Sequence, residues 1–131
     1  GLKLSAGDLI RAEAQRMAMT NRALKFFETY ELLLAPATIV APFPIENRYV
    51  AECDGQKFDN YVLWLGIVYA ITLVCSPALS LPCGFTKTGL PVGLQMIAPS
   101  RGEAQLLAGA KTLEDILGLR GTTPIDPRTV K

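Results

Sequence analysis

The chain is 131 residues long, half of them hydrophobic and 19% charged, with a net charge of +1, three cysteines and no histidine. That length is about one domain, able to bury roughly two-thirds of its unfolded surface around one core, and the near-neutral charge without like-charge runs excludes the electrostatic footprint of a nucleic-acid binder. Lack of histidine excludes Ser-His-Asp triads, Cys-His dyads, H-E-x-x-H zinc sites and two-His-one-carboxylate iron sites, leaving nucleophile activation to lysine, to a metal the sequence does not advertise, or to residues outside this chain.

Ser5 followed by Asp8 is a capping-box start. Ile10, Ala14, Met17, Leu24 and Phe27 then recur at helical spacing, which predicts a long helix over 5–29 with that stripe packed and the opposite face wet. Leu32 to Leu34 predicts a short buried strand over 32–35, and Pro36, Pro42 and Pro44 an extended proline-rich loop over 36–58. No charge occurs from Tyr61 to Cys75, yet Gly66 weakens the run and Ser76-Pro77 ends it after about fifteen residues. That is short of the about 20 a membrane span needs, so the expectation is a buried core helix over 60–75 and no membrane contact.

Leu79, Leu81, Cys83 and Phe85, then Val92, Leu94, Met96 and Ala98, alternate as two strands over 79–98 around a turn in which Gly89 takes a positive φ. Pro82 and Pro91 belong at edges or strand ends, and Gly84 and Gly93 at bulges or close approaches. Ser100 and Glu103 suggest a second capping box opening a helix over 103–117, striped by Leu106, Ala110, Leu113 and Leu117 and stopped by Gly118; the tail 118–131 reads as loop.

Candidate chemistry is sparse. Ser76 and Ser80 begin no S-x-x-K and sit in no G-x-S-x-G elbow, so they read as turn or strand hydroxyls. Cys75 and Cys83 lie among apolar residues and read as inert core thiols. Cys53 makes the thiol count odd, with no C-x-x-C pair, which together with an opening unlike a signal or transit peptide points to reduced thiols and a cytoplasmic location. Glu52, Asp54, Asp59 and Asn60 miss the calcium-loop spacing, and nothing calls for a cofactor or metal. Tyr61, Trp64 and Tyr69 could floor a pocket, although aromatic residues at helical spacing more often fill cores. The residues alone describe an α/β core fragment without its own catalytic machinery.

"YELLLAPATIVAPFP" and "SPALSLPCGFTKTGLPVGLQMIAPSRGEAQLLAGAKTLE" resemble the C-terminal portion of the amidase signature family, in the family's order, over about Ser5 to Leu117. The resemblance implies an α/β fold of three layers, α/β/α, around a large mixed sheet, and amide C–N cleavage by a nucleophilic serine, a bridging serine in a cis peptide and a lysine. Such a set suits a chain without histidine, because a buried neutral lysine can relay a proton through the second serine. No Ser-Ser or Gly-Gly pair occurs here, and Ser5, Ser76, Ser80 and Ser100 match no member of that triad, which the resemblance assigns to N-terminal segments outside this chain. Thr72 and Cys75 stand at positions where the family often has Asn and Gly, Glu31 where Asp is commoner, and Ala37 where Thr is common.

The same resemblance makes Tyr61, Trp64 and Thr72 candidate substrate-pocket residues. Three readings follow: a C-terminal amidase segment, inactive alone and acting on a small amide; a segment of an amidotransferase that completes a site in trans; or a non-catalytic interaction module. The first predicts exposed apolar surface around the 61–75 helix and the Leu32 strand, covered by the triad-bearing N-terminal part or by a second copy of this chain.

Overall fold

The computed structural model describes residues 3–119. Helix α1 spans Ala6–Phe27. Ser5 caps it: the Ser5 hydroxyl accepts from the Asp8 amide at 3.2 Å, and the Asp8 carboxylate accepts from the Ser5 amide at 2.8 Å and the Ser5 hydroxyl at 2.7 Å. The Ser5 hydroxyl above all, then its amide and Arg11, holds the Asp8 carboxyl below its ordinary 3.8. The stripe expected to pack is open instead, with Ile10 69%, Met17 48% and Leu24 52% exposed. It is a different face, with Met19, Ala23 and Phe26, that borders the apolar cleft against the sheet. The 3.6-residue period was a true helix signal, but no element among the described residues buries the Ile10 stripe.

Strands β1 (Leu33–Pro36), β4 (Ala78–Phe85) and β5 (Pro91–Ile97) form an antiparallel sheet in the order β1-β5-β4. Leu34 and Leu79 both face Met96 across the ladders, and Ser80 and Ala35 both face Gln95. Pro82 sits on the edge strand at a bulge before Gly84, and Pro91 opens β5, so neither removes a needed ladder bond. At the turn, Gly89 has φ 82°, Thr86 donates its amide to the Leu90 carbonyl at 2.8 Å, and its hydroxyl accepts from the Leu90 amide at 3.0 Å.

Met96 and Ile97 are adjacent on the central strand and therefore point to opposite faces. They are 2% and 1% exposed, so helices cover the sheet on both sides. Helix α3 (Glu103–Leu117) covers one face, its Leu106 and Ala110 closing a core with Leu81, Met96 and Ala98. It ends at Gly118, left-handed at φ 65°. The expected Ser100–Glu103 capping box does not form. Arg101 is left-handed at φ 64° and the Gly102 amide bonds back to the Pro99 carbonyl at 2.8 Å, so the helix starts at Glu103 itself, with Gly102 as its cap. On the other face lie the C-terminal half of α1 and helix α2 (Gly66–Leu73). The result is three layers, α/β/α.

Two expectations about the middle of the chain need correction. The 36–58 loop contains a hairpin, β2 (Glu52–Cys53) paired with β3 (Gln56–Lys57) around Asp54-Gly55, both at positive φ as a primed turn requires. The single helix expected over 60–75 is a 3-10 turn at Leu63–Leu65 followed by the eight residues of α2. Asn60 causes this: its side-chain oxygen accepts from the Val62 and Leu63 amides at 3.0 and 3.3 Å, drawing the chain into a tight turn first. No residue of α2 is buried. Among the described residues no helix is long and apolar enough to cross a membrane. The expected tail falls almost wholly outside the described residues.

Candidate functional site

Two of the hollows beside the segment from Tyr61 to Ser76 take in residues expected at a pocket. The first, of about 560 Å³, lies between α2 and the sheet. Its polar lining is Thr72 from α2, Cys75 and Ser76 from the connection, Ser80 from β4 and Gln95 from β5; its apolar lining includes Val68 and Ile71 from α2, and among the described residues no Asp, Glu, Lys or Arg borders it. The sheet register sets this arrangement, because Ser80 and Gln95 are direct cross-strand partners and so share a face. Gln95 is 7% exposed, and its amide nitrogen is buried without a hydrogen-bond partner among the described residues.

The second hollow, of about 330 Å³, lies between the β2–β3 hairpin and the turn at Leu63–Leu65, with Trp64, Cys53, Asp54 and Phe58 among its lining. Trp64 is half-buried, its indole nitrogen is enclosed without a partner among the described residues, and its ring meets Phe43 and Tyr61 edge-on at 5.9 and 6.3 Å. Tyr61 in turn meets Tyr49 at 6.4 Å. The three residues expected at a pocket are therefore divided: Tyr61 and Trp64 join one aromatic cluster, while Thr72 lines the other hollow. Gln95 was not anticipated. Its signal was a lone amide inside the apolar run "VGLQMIA".

Cys75 also departs from expectation. It is exposed rather than a core thiol, and takes a left-handed φ of 56° where α2 ends, its amide bonded to the Thr72 carbonyl at 3.1 Å. The chain must reverse there to feed β4, a task for which glycine is the unstrained residue. Cys83 is half-buried, its thiol bonded to the Val92 carbonyl at 3.4 Å.

A sheet sandwiched between helices, with a neutral hollow at its centre, defines an α/β/α fold with room for a small molecule. The amidase family model matches residues 1–107. One of the glutamyl-tRNA(Gln) amidotransferase subunits of Clostridium acetobutylicum is 36% identical over 106 residues, covering 79% of this chain and 20% of that protein. An acylamidase of Rhodococcus erythropolis is 31% identical over 129 residues, covering 98% of this chain and 27% of its own. Among solved structures, a bacterial aryl acylamidase of the amidase signature family superposes with a TM-score of 0.77 at 19% identity, over 94% of this chain and 27% of that one. A crystal structure of an amidase gives 0.77 at 27% identity, over 90% and 27%. The chain belongs to the amidase signature family, and spans about a fifth to a quarter of these relatives.

Proposed function

We propose that this chain is the C-terminal structural and substrate-cleft segment of an amidase that cleaves amide C–N bonds through a Ser-cisSer-Lys triad carried outside residues 1–131. The observation behind this reading is the open apolar surface on a chain that spans only about a fifth to a quarter of its relatives. Tyr61, Val62, Leu63, Val68, Tyr69 and Leu73 are all exposed, whereas the opposite face of the sheet is closed by α3. Apolar surface of that extent marks a face built to be covered. The lysines among the described residues, Lys3, Lys25, Lys57, Lys87 and Lys111, are all exposed, and none borders the hollow beside α2. The covering element is the triad-bearing N-terminal part, with a second copy of this chain as the other occupant. Tyr61, Trp64 and Thr72 border the substrate cleft, the substrate is a small amide, and three free thiols suit a cytoplasmic protein.

A second reading, a segment of an amidotransferase, is favoured by the 36–38% identity to subunits of such enzymes from Clostridium acetobutylicum and Alkaliphilus metalliredigens. Intact mass of the native protein, followed by assays of ammonia release from glutamine and simple primary amides and of aniline release from anilides, tests both. A 14.2 kDa species should release none. Release by that species alone would overturn the proposal, and release confined to glutamine would select the second reading.

A further inference from the structure

We propose that Gln95 is a specificity-determining residue, whose side-chain amide holds the carboxamide of a small uncharged ligand in the hollow between α2 and the sheet. This rests on the reading of the chain as part of an amidase cleft. A donor buried without a partner is an exception that native structures rarely tolerate without a reason. Here it belongs to a residue 7% exposed, on the central strand of the sheet, next to the fully buried Met96 and Ile97. Its backbone is bonded to a strand on each side, so the sheet sets the point from which the side chain departs before any ligand arrives.

The surroundings select the ligand. The hollow measures about 560 Å³, within the range of small-molecule sites. With no Asp, Glu, Lys or Arg from the described residues in its lining, it offers no opposite charge to offset the desolvation of a carboxylate or an ammonium group. Thr72, Ser76 and Ser80 contribute hydroxyls, each able to donate or accept, and Val68 and Ile71 an apolar wall. Gln95 carries both a donor and an acceptor on one plane, and a carboxamide presents the complementary pair. A carboxamide therefore pairs with it in either orientation of the amide, whereas an ester or a ketone meets only the donor.

A peptide group from chain outside residues 1–131 offers the same donor and acceptor, so the test must separate the two sources. In the intact protein labelled with ¹⁵N-glutamine, the Gln95 side-chain NH₂ signal is assigned by its loss in Gln95→Leu. It is then followed on adding propionamide, with propionate as the charged counterpart. Propionamide should move the signal saturably and propionate should not. Thr72→Val, which keeps shape and removes one hydroxyl, should weaken binding about tenfold, the size expected for one lost hydrogen bond. Gln95→Glu, which keeps size but introduces charge, should abolish it.

The proposal is overturned if propionamide leaves the signal unmoved, if propionate moves it equally, or if Gln95→Glu binds as tightly as the parent. An NH₂ already protected from solvent exchange and indifferent to propionamide would identify the peptide source, and overturns it as well. Should the Gln95 variants not fold, Thr72→Val decides, with unchanged affinity counting against the proposal. In a native protein larger than 14.2 kDa, amide binding at Gln95 without any amide hydrolysis would refute the proposed function and leave this inference standing; hydrolysis with a silent Gln95 would do the reverse.

Discussion

Replacing Cys75 by glycine should stabilise the fold. Cys75 holds φ 56° at the exit of α2, a conformation costing an L-residue with a side chain about 1–2 kcal/mol. Glycine escapes that cost but gives up about 0.5–1 kcal/mol through its freer unfolded chain. The cysteine side chain is exposed, so its removal forfeits no burial. The balance is a gain of about 0.5–1 kcal/mol, or roughly 2–4 °C in Tm for a domain of this size. Urea unfolding under reducing conditions should show a higher midpoint at unchanged slope. Cys75→Ala supplies the control, since it deletes the thiol and keeps the strained backbone; it should gain nothing. Equal gains in both variants would refute the argument, because they would trace the effect to the thiol. A loss in Cys75→Gly would refute it outright.

Leu106→Ala removes a side chain 4% exposed within the α3 core and should cost about 2–5 kcal/mol, read as a lower urea midpoint. The Asp8 carboxyl titrates below its unfolded value when capping α1. Its contribution is therefore present above the unfolded value and disappears as pH falls through the folded one. Amide signals of the first turn of α1 should show fraying below about pH 4, the ordinary range of aspartate, and Asp8→Asn should remove that pH dependence. In a 14.2 kDa species without a covering part, joint replacement of Met17 by Lys and Leu24 by Gln, side chains that are 48% and 52% exposed, should lower any self-association seen in sedimentation velocity while changing the unfolding free energy by less than about 0.5 kcal/mol, as surface changes usually do.

What the sequence disclosed follows from how local each determinant is. The β4–β5 hairpin and the α3 stripe were legible because strict alternation and 3.6-residue spacing each point one face at the same core. The Ser5–Asp8 box was legible because both halves lie in one turn of helix. The similar Ser100–Glu103 pair failed, although the helix begins at Glu103 as expected, because the left-handed Arg101 leaves Gly102 rather than Ser100 as the cap, and nothing in the spacing records a φ. The helix expected over 60–75 was overlong because apolar content says nothing about Asn60, whose side chain captures the amides of Val62 and Leu63. Asp54-Gly55, by contrast, carried a hairpin signal that the proline count overshadowed. Gln95 is the instructive omission: a polar residue in an apolar strand was visible, but its lack of a partner depends on Ser80 and Thr72, brought beside it only by the sheet register and by α2.

The two faces of the sheet also differ in a way that bears on where function lies. On the α3 face, Leu81, Met96, Ala98, Leu106 and Ala110 close a core that is apolar throughout. On the α2 face, the same strands present Ser80 and Gln95, a neutral hollow and a helix with no buried residue. Stability alone would favour filling that second face with apolar side chains, because a buried amide without a partner costs free energy that a leucine would not. Gln95 on the central strand and Ser80 beside it on the edge strand, on the face the described residues cover less fully, are therefore poor choices for folding these residues by themselves. They become reasonable once something else closes that face: on the proposed reading the remainder of an amidase covers α2 and the outer stripe of α1, and the hollow is left as an enclosed, uncharged space beside the cleft.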